Sequence, residues 1–217
     1  MTPSEMAAHA LLEIGAVGFT PQHPITFKSG MLSPVYVDNR RLPFHPAAWR
    51  VVLEGFAALI AARGITYDAI AGMEAAGIPH SAALGYALQQ PSLFVRKQRK
   101  EHGKGRMVEG GDIHGKRVLL VEDLVTTGGS SLGGVTALRE EGATVTDCLA
   151  IVSYGFKESR ESFERAEVTL HVLVPFEDLL RVALLRGDFD EATRQVIDDW
   201  HTDPYGWGVR HGFGGEE

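Results

Sequence analysis

The sequence predicts an α/β fold, a central parallel sheet flanked by helices, with a small N-terminal flap and a C-terminal helical extension. From residue 47 to residue 153, short apolar runs alternate with helical patterns. Runs without polar alternation are strands buried on both faces, and their alternation with helices implies parallel pairing. The chain has 217 residues, 44% of them hydrophobic and 23% charged, enough for one globular domain with its own core. That domain divides into an N-terminal helix and flap over 1–45, an α/β core over 46–175, and C-terminal helices with a tail over 176–217.

Residues 4–14 place Met6, Ala7, Ala10, Leu11 and Ile14 at helical spacing, with Ser4 as N-cap and Gly15 as stop. Two strand-like pieces, 25–28 and 35–39, are separated by Ser29-Gly30 and Ser33-Pro34, which are turn residues. The core then reads as helix 47–63 stopped at Gly64, strand 69–73, helix 79–88 and strand 92–95. Strand 117–121, helix 132–141 stopped at Gly142, strand 145–153 and strand 168–174 complete the sheet, and helices 176–186 and 190–200 follow. Between them, the seventeen residues 96–112 have no apolar period, and a loop of that length is functional or disordered.

Net charge is -7, which disfavours a generic nucleic-acid binder, since such proteins present a basic face to the phosphate backbone. The cations are unevenly placed: Arg96, Lys97, Arg99, Lys100, Lys104 and Arg106 gather 6 of the 21 Lys and Arg into eleven positions. The single cysteine, Cys148, sits in an apolar run and reads as a buried strand thiol with no intrachain partner. No secretory signal and no membrane-length apolar run is visible, so a soluble, cytoplasmic protein without membrane contact is expected. His23, His45, His80, His114, His171, His201 and His211 lack metal-ligand spacing, and Trp200 and Trp207 read as packing for the C-terminal helices.

The most informative stretch is 117–131. An apolar strand runs into Glu122 and Asp123, then into Thr126, Thr127, Gly128, Gly129, Ser130 and Ser131, and then into a helix. In an open parallel sheet ligands bind beyond the carboxyl ends of the strands. Glycines let backbone N–H groups face an anion, the helix N-terminus adds partial positive charge, and the hydroxyls add donors. That is a cradle for a monophosphate. The two acids would repel a phosphate beside them and better suit sugar hydroxyls or a metal-bound ligand. The P-loop pattern G-x-x-x-x-G-K-[ST] is absent, as is G-x-G-x-x-G. Spacing alone does not identify the sugar.

This segment resembles the signature of type I phosphoribosyltransferases for PRPP, 5-phosphoribosyl 1-diphosphate. The resemblance implies that Glu122 and Asp123 hold the ribose 2- and 3-hydroxyls, and that Thr126, Thr127, Gly128, Gly129 and Ser130 hold the 5-phosphate. Two further blocks are similar to the orotate phosphoribosyltransferases. The basic segment gives Arg96, Lys97, Lys100 and His102 in the Arg-Lys-x-x-Lys-x-His pattern of that family's mobile catalytic loop. The flap segment 27–36 is similar to its S-G-x-x-S-P-x-Y/F block, with Phe27 two positions before Ser29. On the residues alone, a hairpin with Phe27 and Tyr36 in the core fits this segment equally well. The resemblance implies instead that Lys28 contacts orotate or the diphosphate, while Phe27, Tyr36 and Thr126 line the base.

Carried through, the resemblance implies transfer of phosphoribose from PRPP to orotate, giving OMP and diphosphate in pyrimidine biosynthesis. Lys100, His102 and Asp123 would be catalytic, and Mg²⁺ would be held mainly by PRPP and water, with no dedicated protein ligands. The loop Lys and His usually reach a neighbouring subunit's site, which implies a homodimer with shared active sites. Glu74, Ala75, Ala76 and Gly77 match the diphosphate loop, although Ala76 stands where some members carry a basic residue. The Asp-Arg pair that many members have after the strand following the PRPP helix is missing, because Ser153-Tyr154-Gly155-Phe156-Lys157 holds no arginine. Two alternatives stay open: a transferase for a purine or uracil, and a non-catalytic PRPP-sensing regulator.

Overall fold

The computed structural model describes residues 1–27, 29–98 and 106–213. Helix α1 (Pro3–Glu13) has its N-cap two residues earlier than its apolar period suggests. Thr2, not Ser4, is the N-cap: its hydroxyl accepts from Glu5 N at 3.2 Å, and the Glu5 carboxylate accepts from Thr2 N at 2.9 Å. This reciprocal box, with Pro3 at the first helical position, satisfies donors that Ser4 leaves open. Ser4 donates instead to Asp178 at 2.9 Å.

The flap consists of β1 (Val17–Phe19), β2 (Ile25–Thr26), β3 (Leu32–Ser33) and β4 (Val35–Val37), followed by a 3-10 helix over Asn39–Phe44. The expected strands 25–28 and 35–39 are shorter than anticipated and do not pair with each other. Each has another partner, β2 with β3 and β4 with β1, both antiparallel. Strands of two or three residues are too short to carry a period, which is why β1 and β3 escape the sequence pattern.

The core runs α2 (Pro46–Arg63), β5 (Ala69–Met73), α3 (Gly77–Leu88), β6 (Ser92–Val95), β7 (Val108–Glu109), β8 (Val118–Val125) and α4 (Gly129–Glu140). It continues through β9 (Asp147–Ser153), α5 (Lys157–Arg165), β10 (Thr169–Pro175), α6 (Phe176–Arg186), α7 (Glu191–Thr202) and α8 (Trp207–Arg210). The sheet order is β10-β9-β8-β5-β6-β7, parallel except that β7 pairs antiparallel with β6 at the edge. The stretch 96–112 is therefore not wholly irregular: it contains β7, which pairs with β6 through Phe94↔Glu109 and Val95↔Val108. Helix α5 has no counterpart in the sequence reading, because its buried residues are Ser159 and Phe163 and one apolar anchor makes no period.

Alternate residues of β8 enter opposite layers, as a period of two requires. Leu119 and Val121 pack with α1, α2, α3, α6 and the C-terminal aromatics. Val118 and Leu120 pack with α4 and α5. Among the described residues no helix is long and apolar enough to cross a membrane.

His80 on α3 is fully buried. Its Nδ1 accepts from Trp49 Nε1 at 2.9 Å, so the neutral ring carries its proton on Nε2. Burial lowers its pKa from 6.5 to about 4. A histidine held neutral by the fold contributes stability that is present above the unfolded pKa and lost as pH falls toward the folded one. Native stability should therefore decline between about pH 6.5 and 4, by up to about 3 kcal/mol from this group. His80→Gln keeps an acceptor for Trp49 and cannot titrate. Urea denaturation should find its stability falling less steeply over that window, and parallel curves would contradict the assignment.

Candidate active site

The site follows from where the sheet stops being paired on both sides. Strand β8 is bonded to β5 only as far as Gly72↔Val121, whereas its pairing with β9 continues to Val125↔Ser153. The strand does not end at Val121, as the sequence suggested; Glu122 and Asp123 lie on it, held by β9. From Glu122 onward the β5-facing edge is open. The chains leaving β5 and β8 cross to opposite layers, α3 with Leu84 on one and α4 with Val135 and Leu138 on the other. This divergence is the crevice where ligands bind in open α/β sheets.

Glu122 is buried, and Ser131 Oγ donates to its Oε2 at 3.2 Å. The Asp123 amide donates to the other carboxylate oxygen, also at 3.2 Å. Burial, and then the neighbouring Asp123 charge, push the Glu122 carboxyl well above its ordinary range. Burial also raises Asp123, against the opposing pull of hydrogen bonds and the Lys97 charge. Asn39, fully buried at the end of the flap, donates through Nδ2 to the Asp123 carbonyl at 2.7 Å. No local pattern in the sequence announces that bond. Ser131, counted from sequence among the anion-facing hydroxyls, is engaged with Glu122 instead.

Past β8, Thr126 and Thr127 are half-buried, and Gly128 has φ 88°, a left-handed conformation that favours glycine. A Cβ there would lie 2.9 Å from the Phe163 ring. Helix α4 begins at Gly129 with no side-chain cap, so its first amides are offered to the loop alongside the exposed Gly129 and Ser130.

The segment after β5 packs tightly against this strand end. A Cβ on Gly77 would stand 2.5 Å from the Val121 carbonyl oxygen, and one on Gly72 would stand 2.6 Å from the Gly77 carbonyl. Glu74 N donates to Val95 O at 2.9 Å, and the Glu74 carboxylate accepts from Lys97 N at 2.8 Å. Glu74, Ala75, Ala76 and Gly77 are thus brought beside both β8 and the root of the basic segment. That root is closed by Arg96 N donating to Met107 O at 2.8 Å. The Arg96 guanidinium lies 4.0 Å from Glu109, and Lys97 is exposed. Lys100 and His102 lie outside the described residues.

On the flap, Phe27 is half-buried, its ring centroid 5.8 Å from that of Tyr154 and 6.5 Å from that of Trp200. Tyr36 is half-buried, with its hydroxyl directed to Asp38 and Arg40; burial and then Asp38 raise its pKa. Lys28 lies outside the described residues. At the end of β9, Tyr154 is buried in an aromatic cluster with Phe156, Phe176 and Trp200, and its hydroxyl has no partner among the described residues. A cavity of about 520 Å³ lies between α5, β10 and α6, and none of the strand-end residues from Glu122 to Ser130 lines it.

A parallel sheet opening at a carboxylate-bearing strand end is the architecture of the phosphoribosyl transferase domain, and the model of that family matches residues 45–173. An orotate phosphoribosyltransferase of Coxiella burnetii is 39% identical over 207 residues, 95% of this chain and 99% of its own. The crystal structure of orotate phosphoribosyltransferase from Aeropyrum pernix is 32% identical with a TM-score of 0.72, covering 80% of this chain and 96% of that one. UMP synthase of Leishmania donovani matches with a TM-score of 0.76 at 26% identity, over 91% of this chain but 42% of its own. The chain belongs to the orotate phosphoribosyltransferase family.

The raised Glu122 has a consequence for stability. A carboxyl whose folded pKa lies above its unfolded value stabilises the fold below that unfolded value, near 4.5, and the benefit is lost as pH rises. Glu122→Gln removes the buried charge and retains an acceptor for Ser131. Its melting temperature should exceed the native one at pH 8 by more than it does at pH 5. A difference that shrinks with rising pH would show that the native carboxylate is stabilised as an anion.

Proposed function

We propose that this chain transfers the phosphoribosyl group of PRPP to orotate, releasing diphosphate and forming OMP in pyrimidine nucleotide synthesis. The observation that carries the reading is the pair Glu122 and Asp123, set at the open edge of β8 between a hydroxyl-rich glycine turn and the segment 74–77. The carboxylates would accept hydrogen bonds from the ribose 2- and 3-hydroxyls, which exchange a desolvated charge for a charge-assisted contact. Thr126, Thr127, Gly128, Gly129 and Ser130, with the first amides of α4, would hold the 5-phosphate. Ala75, Ala76 and Gly77 present backbone donors to the diphosphate, and Glu74 orders that segment through Lys97 N.

In this scheme a nitrogen of orotate adds to C1 as the bond from C1 to diphosphate breaks, with the electron pair leaving on diphosphate. No side-chain nucleophile is required. Holding base and sugar together supplies the entropic part of catalysis, and Arg96, Lys97, Lys100 and His102 would meet the charge developing on the departing group. His102 is the candidate proton donor to it. Mg²⁺ would neutralise charge on PRPP when bound; buried Glu122 and half-buried Asp123, both raised by burial, suit contact through hydroxyls and water better than direct metal ligation. Lys28 would contact the base, with Phe27, Tyr36 and Thr126 as its walls. We further propose a cytoplasmic homodimer whose partners share Lys100 and His102 across their sites, built from one transferase domain per chain.

The decisive assay measures PRPP-dependent diphosphate release with orotate, uracil, hypoxanthine and adenine. Orotate should be preferred; preference for a purine would transfer the reading to another nucleobase. Lys100→Ala should lower turnover roughly a hundredfold while leaving orotate binding nearly intact, since the lost interaction belongs to the transition state. Asp123→Asn should weaken PRPP binding roughly tenfold, the scale of one charge-assisted hydrogen bond. An unchanged PRPP titration would remove Asp123 from the ribose site.

A further inference from the structure

We propose that Trp200 is a positioning residue for the base-binding flap, and that α7 and α8 form the buttress from which it acts. The inference rests on the flap reading given above. The β2–β3 hairpin has a ladder of two residue pairs, Ile25↔Ser33 and Thr26↔Leu32. A ladder that short has no independent stability in water, so its orientation must be imposed from outside. Phe27 follows β2 directly, and any displacement of the hairpin carries it along.

Trp200 is fully buried on α7, yet its indole N–H is not directed at its own helix. It donates to the Leu32 carbonyl of β3 at 2.7 Å, across a sequence separation of 168. The same ring meets Phe27 edge-on. A second element reaches the same residue independently: Gly208 of α8 lies so close that a Cβ would stand 2.7 Å from Leu32 Cδ1. Helix α8 is secured to α7 through Asp199, which pairs with Arg210 at 3.2 Å and His211 at 2.8 Å. Trp207 is buried beneath it.

The buttress is itself referenced to the catalytic rim of the sheet. His201, next to Trp200, bonds through Nε2 to the Tyr154 carbonyl at 2.6 Å. Tyr154 N in turn donates to Val125 O, the last residue of β8, at 3.1 Å. One continuous path therefore runs from the carboxylate-bearing strand through Tyr154 and α7 to Leu32 and the flap. The C-terminal helices set the distance between the base and the sugar without touching either.

The test is steady-state kinetics on the full chain with two variants. Trp200→Phe keeps the ring and removes the donor, and Gly208→Ala presses on Leu32 from the other helix. Each should raise KM for orotate by about three- to tenfold, the scale of one lost hydrogen bond, while kcat and KM for PRPP stay within about twofold. Hydrogen exchange of the amides in 25–33 should quicken in both variants, a readout that does not depend on turnover. An equal rise in both KM values, or unchanged KM and exchange in folded variants, would overturn the buttress alone. A native chain that consumes PRPP with no preference for orotate would overturn the orotate reading, and this proposal with it.

Discussion

The opening of β8 along one edge, while its other edge remains paired, is the constraint on which the site depends. Up to Val121 the strand is bonded on both sides and its side chains are apolar core. One residue later the β5 partner has left, and the next two side chains are carboxylates. Removing a carboxylate from water costs several kcal/mol unless it is compensated, and two adjacent ones repel as well. Compensation here is partial: Ser131 and one backbone amide reach Glu122, while hydrogen bonds with the Glu122 side chain and the Leu124 backbone, and then the Lys97 charge, act on Asp123. The fold holds these groups in a state that a ligand rich in hydroxyls relieves. The rigidity of the β9 pairing prevents the strand from relaxing to relieve it alone.

Close backbone approach is the second requirement, and it explains several small residues around the crevice. Gly77 cannot become Ala without driving a methyl into the Val121 carbonyl, and Gly72 is closed off by Gly77 and Ser81. The segment after β5 therefore lies directly on the strand that bears Glu122. Its anchoring to Val95 O and Lys97 N means that the root of the basic segment and the segment 74–77 shift together. Charge on the first and backbone donors on the second can then address one anion.

Legibility in the sequence tracked local pattern. Strands β5, β6, β8 and β9 and helices α2, α3 and α4 carry apolar periods long enough to be read, and the run from Val118 through Ser131 gave the crevice its chemistry. Helix α5 was invisible because Phe163 and the hydroxyl of Ser159 are all it buries. Strands β1, β3 and β7 were invisible because two or three residues do not make an alternation. The roles of Asn39 and Ser131 were invisible for another reason: a side chain's choice of partner is decided by tertiary neighbours, and Asn39 finds its partner 84 residues away. The resemblance of the basic segment and flap named Lys28, Lys100 and His102, which lie outside the described residues.

The flap shows how such non-local choices build a site. It is tied at one end by Asn39 to the Asp123 carbonyl and at the other by Trp200 to the Leu32 carbonyl, two side-chain donors gripping backbone acceptors. Backbone acceptors hold their positions better than side-chain ones, because their own neighbours are fixed by the ladder. Across the hairpin from the Leu32 tie, Phe27 leans on Tyr154 and Trp200, leaving only part of its ring for a ligand. The same cluster occupies the end of β9, where an arginine was missing from the sequence. An aromatic residue there cannot grip a carboxylate as a guanidinium does, but the Arg160 guanidinium donates to the Gly155 carbonyl at 2.9 Å, so a cation still stands beside that strand end. What Tyr154 supplies at this strand end is packing: its ring joins Phe27 of the flap to Trp200 of α7.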